Sequence, residues 1–457
     1  MTSRSHLFHF VAVVVFVGAS SCTGGGAHKP AEKIALPGGR TVETGSLANG
    51  LQFFVVHDSS SPTFALNIWY SVGSRDEEPG KTGLAHLFEH LMFKGTATRK
   101  EGVFDREMSM AGAQGLNAFT DRDHTAYIIE LPSIAFEKAI ELEADRMVNL
   151  VVNDQSFKTE RDVVQNERRF RVENNPDGQM YQTLFDTAFT KHSYRWPVIG
   201  YQKDLDSMSA EDARQFYQTH YSPDKARVVI AGDIDYTRAR QALEKFFGPL
   251  KPGIGSRARK TLAAEPVQSD FRKKVLAFPM PSEKLMLAYR SPGSGDPRSP
   301  EIEILMRLLS RGQSSRLHKA LVNTGIATTV DCFGFEESDP GLIVFYAVTQ
   351  TGHHADEVIR IIDREVSRLV REAPSDRELQ GVKNRIRFDV YAGLTHNASL
   401  ARFVGESETS GSGLKKTLIN IERMAAIQPK DLPEVARSLF ATTGRTLVLG
   451  RPKGASK

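Results

Sequence analysis

Two stretches of this 457-residue chain repeat one another, and that duplication limits the possible folds more than any other feature. Between Pro249 and Asp270 the run Lys251-Pro252-Gly253-Ile254-Gly255-Ser256 carries structure breakers and no apolar periodicity, which marks a linker. The same patterns recur on either side of it. Residues 64–70 and 285–289 read as strands; so do 124–131 and 342–349, apolar or alternating and rich in Ile, Val and Tyr. A helix follows each of the second pair: 134–151, with Phe136, Ile140, Met147 and Leu150 at helical spacing, and 357–371, with Val358, Ile361, Ile362 and Leu369. An offset of roughly 219 residues relates the copies, and internal duplication accounts for it. The expectation is an α+β fold in two homologous halves, each a mainly antiparallel sheet with helices on one face.

Chemistry is concentrated in the first copy. Gly83-Leu84-Ala85-His86-Leu87-Phe88-Glu89-His90-Leu91-Met92-Phe93-Lys94-Gly95 has leucines at helical spacing and a terminating glycine. On that helix His86 and His90 stack one turn apart, with Glu89 beside them. Two neutral imidazoles so placed can bind one Zn²⁺, and a neighbouring Glu that is not a ligand can take a proton from water. The order H-x-x-E-H is the inverzincin signature, the reverse of H-E-x-x-H. Taken alone it is equally compatible with two structural histidines and a solvated carboxylate. In the second copy the helix 300–310 has Leu305, Leu308 and Leu309 at the matching offset, so no metal site is expected there.

Further along, Glu160 and Glu167 stand seven apart on one helix face. H-x-x-E-H followed at this separation by an E-x6-E helix resembles the pitrilysin family of zinc metallopeptidases, which includes insulin-degrading enzyme and the mitochondrial processing peptidases. The likeness continues in Gly115-Leu116-Asn117-Ala118-Phe119-Thr120, in Tyr194-Arg195-Trp196-Pro197-Val198-Ile199-Gly200, and from Tyr221-Ser222-Pro223-Asp224 to Val228-Val229-Ile230-Ala231-Gly232-Asp233. It covers nearly everything after about residue 40. The resemblance implies His86, His90 and Glu167 as ligands of one Zn²⁺ per chain, Glu89 as general base, and Glu160 as a carboxylate orienting a ligand histidine. It implies that Asn117 and Ala118 lie on a strand edge that takes up extended peptide by strand addition. It also implies that the halves face each other as a clamshell, admitting short or unfolded peptides. Imidazole and carboxylate suit other divalent ions too, so the residue types do not fix the native metal.

One departure from the family stands out. Active single-chain relatives carry, in the second half, an Arg and a Tyr seven residues apart that hold substrate and stabilise the oxyanion. Here Thr328 stands at the Tyr position, and Leu321 or Val322 at that of the Arg. Losing one preorganised oxyanion donor typically costs a factor of about 10² to 10³ in rate. The resemblance therefore implies a partner: a second family member that lacks the metal motif and brings the Arg and Tyr. A reading of another class is a non-catalytic peptide-binding or assembly subunit that retains the metal site.

The chain opens on an export signal. Arg4 precedes an apolar run from Leu7 to Val17 that is too short to span a bilayer, then Gly18-Ala19-Ser20-Ser21-Cys22. Either Cys22 is the acylated first residue of a lipoprotein, with Ala19 where Leu is usual, or cleavage nearby releases a soluble exported protein. Both readings place the chain in a bacterial cell envelope, with a membrane contact only through the lipid. The expected organisation is signal 1–22, flexible tether 23–40, metal-bearing domain 41–250, linker 251–270 and metal-free domain 271–457. A net charge of +4 with scattered Lys and Arg gives no nucleic-acid footprint. Cys22 and Cys332 are the only cysteines, so no disulfide framework holds the mature chain.

Overall fold

The computed structural model describes residues 31–254, 261–335 and 337–454; the leader with Cys22 and the middle of the linker lie outside the described residues. In chain order the first half contains β1 (Glu32–Ala35), β2 (Thr41–Ser46), β3 (Gln52–His57), β4 (Thr63–Tyr70), α1 (Leu84–Leu91), α2 (Val103–Met110), β5 (Gln114–Thr120) and β6 (Thr125–Pro132). It continues with α3 (Phe136–Asn149), α4 (Asp154–Arg168), α5 (Pro176–Ala188), α6 (Gln202–Ser207), α7 (Ala210–His220), β7 (Ala226–Gly232) and α8 (Tyr236–Phe246). The second half contains β8 (Arg272–Phe278), β9 (Lys284–Ser291), α9 (Ser299–Ser310), β10 (Ala327–Gly334), β11 (Gly341–Thr349) and α10 (Ala355–Arg371). After these come α11 (Asp376–Gly393), α12 (Asn397–Thr409), α13 (Leu414–Ala426), α14 (Leu432–Leu439) and β12 (Thr446–Pro452).

The first sheet runs β1-β2-β3-β7-β4-β6-β5 and the second β10-β11-β9-β12-β8. Each has one parallel pair, β3 with β7 and β12 with β8, and is otherwise antiparallel. The central strands are apolar on both faces, and the period-two alternation of a strand sorts their residues. On β4, Phe64, Leu66, Ile68 and Tyr70 enter the core with α1, α3 and α7, whereas Ala65 and Trp69 point to the opposite face. On β9, Leu285, Leu287 and Tyr289 face the helices of the second half, and Met286 and Ala288 face away.

A sheet apolar on both faces needs cover on both, and each half covers the other. Leu400, Ala401 and Val404 of α12 pack on the far face of the first sheet against Trp69, Val229 and Ala231. Met180, Leu184 and Phe185 of α5 pack on the far face of the second against Met286, Val344 and Val448. The approach is close: a Cβ on Gly405 would come 2.0 Å from Trp69 Nε1. The two exchanged helices hold matching places in their halves, each following the long helix that succeeds α3 or α10. Described residues of the linker are also pinned. Glu265 accepts hydrogen bonds from the backbone N–H groups of Thr190, Lys191 and His192, and Gln268 reaches Thr446, the first residue of β12.

Buried charges also join the halves. Arg75 bridges Asp123 at 2.8 Å and Asp339 of the second half at 2.6 Å; His192 Nε2 lies 3.1 Å from the same Asp339 carboxylate. The Ser338 backbone N–H donates to Asp123 at 2.6 Å. The turn between β10 and β11 thus grips the turn between β5 and β6.

Candidate metal centre

The helix that carries the histidines has its start fixed from outside. Gly83, with φ of 92°, occupies left-handed space that favours glycine, and a Cβ there would lie 2.9 Å from the Gly200 Cα. No side chain at Gly83 can cap α1, so Glu77 does so from the preceding loop. Its carboxylate accepts from Gly83 N at 3.0 Å and Ala85 N at 2.8 Å.

His86 and His90 follow on one face of α1, with ring centroids 4.9 Å apart. Glu167 meets them from the last turn of α4, a helix started by a capping box between Asn153 and Ser156 and continued past Arg168 by a π-helical turn, Arg169–Glu173. Glu167 Oε2 lies 3.8 Å from His86 Nε2 and 3.4 Å from His90 Nε2. One donor atom from each of the three lies within 4.8 Å of the others. The sequence could place the two histidines together; the tertiary fold brings in Glu167.

The electrostatics suit a cation. Burial and the neighbouring His90 push the His86 imidazole down to about 4, so it is neutral with its lone pair available. Burial also opposes charge on His90, but hydrogen bonds to Glu160 and Glu167 outweigh it and raise that imidazole to about 9. The hydrogen bond to His90 holds the Glu167 carboxyl below its ordinary range. The other Glu167 oxygen is bridged by Arg171 Nε at 2.9 Å, which leaves Oε2 to face the rings. Two imidazole nitrogens and this carboxylate oxygen are a donor set that fits Zn²⁺, once the ion displaces the proton from His90, and leaves a fourth place for water.

Glu160, two turns before Glu167, sits behind His90 with Oε2 3.4 Å from His90 Nδ1. Its other oxygen is bridged by Lys94 Nζ at 2.7 Å. Glu89 is on the same helix but outside the three-residue cluster; its Oε2 accepts a hydrogen bond from Thr120 Oγ1. Burial raises the Glu89 carboxyl and the Thr120 bond opposes that rise.

Thr120 ends β5, an edge strand of the first sheet, which among the described residues pairs with β6 alone. Asn117 is exposed on it and Ala118 buried, just after a register irregularity between Gln114 and Asn117. The other backbone edge of β5 meets no strand among the described residues, as strand addition requires.

In the second half, Leu305, Leu308 and Leu309 are wholly inside the core. Leu321 is fully buried there as well, whereas Thr328 is exposed on β10, its hydroxyl hydrogen-bonded to Val348 O at 3.3 Å. His353 pairs with Glu357 at 2.8 Å and takes no part in the cluster. Cys332 is free and buried.

Thr120 and Lys94 were not singled out from the sequence. Thr120 closes the Gly115–Thr120 run already noted, and Lys94 stands one turn after His90; either spacing could have drawn attention, but only the fold gives each its carboxylate.

Residues 53–201 match the family described as Insulinase (Peptidase family M16), and residues 207–386 match Peptidase M16 inactive domain. The chain is 29% identical to Zinc protease PqqE of Helicobacter pylori, over 90% of this chain and 93% of that protein. It is 24% identical to Mitochondrial-processing peptidase subunit beta of Lentinula edodes, over 87% of each. Among solved structures, a protease from Helicobacter pylori superposes with a TM-score of 0.86 at 28% identity, covering 90% of this chain and 99% of that one. The periplasmic protease PqqL from Escherichia coli, at 20% identity and a TM-score of 0.75, shares the fold over 91% of this chain and 48% of that one.

Proposed function

The chain belongs to the M16, or insulinase, family of peptidases, and on that premise we propose that it is a zinc-dependent endopeptidase acting on short or unfolded peptides in the bacterial cell envelope. The observation that carries this reading is the convergence of His86, His90 and Glu167 with a separate carboxylate, Glu89, held beside them. A non-catalytic subunit needs no such group.

His86, His90 and Glu167 are the residues that would hold the ion. When bound, Zn²⁺ supplies Lewis-acid polarisation of the peptide carbonyl and makes water nucleophilic near neutral pH. The chain does the rest. The open edge of β5 at Asn117 and Ala118 takes the peptide as an added strand, reading backbone more than side chain. Glu89 accepts the proton of the attacking water and returns it to the leaving amine. Glu160 fixes the ring of His90 through Nδ1, and Lys94 holds Glu160.

No side chain at Leu321 can reach a substrate, because it is sealed in the second core; Val322, the alternative position, is an apolar side chain packed against that core with no group to donate; and Thr328 is too short to replace a tyrosine. The oxyanion donors therefore come from a partner, a family member with the Arg and Tyr but no metal motif, and the active form is a heterodimer. A lipid on Cys22 would hold the chain at a membrane of the envelope.

The test is cleavage of a quenched fluorescent peptide library by the zinc-loaded chain, alone and mixed with such a partner, with Glu89→Gln as the blank. Turnover only in the mixture supports the heterodimer. Brisk turnover by the chain alone would mean that another group completes the oxyanion site, and no turnover in either would favour the binding subunit.

A further inference from the structure

We propose that Thr120 is the positioning residue that keeps Glu89 a proton acceptor instead of a further ligand of the metal. This rests on the reading of His86, His90 and Glu167 as the ligand set.

The difficulty that Thr120 resolves is one of chemistry. Glu89 stands between the two ligand histidines in sequence and is adjacent to one of them. A carboxylate is as good a donor to Zn²⁺ as the one on Glu167, and a ligating Glu89 would fill the place that water needs. Yet among the described residues only Glu167 converges with the two histidines. What restrains Glu89 is the hydrogen bond from Thr120 Oγ1 to its Oε2. An ionised carboxylate can only accept, so the hydroxyl must donate, and charge-assisted bonds of this kind are among the stronger and more directional ones. Its other oxygen has no hydrogen-bond partner among the described residues and stays available for a proton.

The strand end that carries Thr120 is itself anchored from two directions. Thr120 pairs with Thr125 at the end of the β5–β6 ladder, and the Thr125 hydroxyl donates to Val72 O at 2.9 Å. The turn between them is tied by Asp121, whose carboxylate accepts from Asp123 N at 2.6 Å and His124 N at 2.8 Å. Asp123 in turn receives Arg75 and the Ser338 N–H of the second half. The half without a metal site thus helps to set where the base of the other half points.

The test compares Thr120→Val, which keeps shape but loses the donor, with Thr120→Ser, which keeps the donor, and with Thr120→Val combined with Glu89→Gln. Two readouts need no substrate: zinc affinity by competition with a chelator, and the visible absorption spectrum of the chain loaded with Co²⁺. Expected for Thr120→Val is a rise in zinc affinity of about tenfold, within the range by which neighbours of metal ligands tune binding, with a changed Co²⁺ spectrum. Both changes should vanish when Glu89→Gln is added, and Thr120→Ser should match the wild type. Unchanged affinity and spectrum in Thr120→Val would overturn the proposal, as would a gain that survives Glu89→Gln. If Thr120→Val does not fold, Thr120→Ala, which also lacks the donor, is read by the same two measurements: a raised zinc affinity with a changed Co²⁺ spectrum supports the idea, and wild-type values sink it. A wild-type chain that binds no zinc at all overturns the assigned function along with the inference, whereas zinc binding with an indifferent Thr120→Val overturns the inference only.

Discussion

Lys94 Nζ lies 2.7 Å from one oxygen of Glu160, whose other oxygen lies 3.4 Å from His90 Nδ1. A lysine just beyond the end of α1 thus sets the carboxylate that sets the ring of His90, a proposed ligand on the same helix. Glu160→Gln keeps the shape but weakens the acceptor facing His90 Nδ1. Zinc affinity is expected to fall by about 10-fold to 100-fold, measured by chelator competition, with Lys94→Met giving a smaller fall of the same sign.

Gly405 makes a case in which two principles oppose each other. In the middle of a helix, glycine to alanine usually stabilises by roughly 1 kcal/mol. Here the added Cβ would meet the Trp69 indole at 2.0 Å, in a core where overpacking costs about 1–3 kcal/mol or more. Overpacking wins, so Gly405→Ala should lower the denaturant midpoint; a rise would show that α12 can shift off the first sheet at little cost.

Restoring the family arginine in this chain should fail. Leu321 is fully buried, and a guanidinium there has no partner supplied for it. Leu321→Arg is expected to destabilise by on the order of 4 kcal/mol, seen in chemical denaturation, and to bring no gain in peptide cleavage.

Glu337 makes the contact between the halves sensitive to pH. Burial raises its carboxyl to about 7, and although Arg122 Nη1 is 3.2 Å away, neither carboxylate oxygen accepts a hydrogen bond from a described residue. The unfolded value is about 4.3. Because the folded value is the higher one, this group's contribution is fully present below about 4.3 and is lost as pH rises through about 7. Glu337→Gln should remove that dependence. Melting temperatures of the two proteins should therefore be closest at the acid end of the window and diverge, with the variant higher, towards its upper end; parallel curves would refute the assignment.

Much of the fold was legible in the sequence, because local periodicity reports which residues are buried. The strand expected at 64–70 is β4, and the helix at 357–371 is α10 with two residues added at its start. Periodicity does not say what a buried face is buried against. The exchange of α5 and α12 was invisible for that reason: the far face of each sheet is covered by a helix whose partner strands lie in the other half.

The site divides along the same line. Sequence alone set His86 and His90 one turn apart and put Glu89 next to them, because helical geometry is a local consequence of backbone hydrogen bonding. It also put leucines at the matching positions of the second half, where they pack into the core. The meeting of Glu167 with the histidines, the hydroxyl of Thr120 on Glu89, and the Ser338 turn that steadies that strand are contacts between segments far apart in the chain. Only the packing of α4 and β5 against α1, and of the β10–β11 turn against the β5–β6 turn, brings such segments within bonding distance. For that reason the tertiary structure, not the motif, decides which carboxylate meets the two histidines and which is held by Thr120.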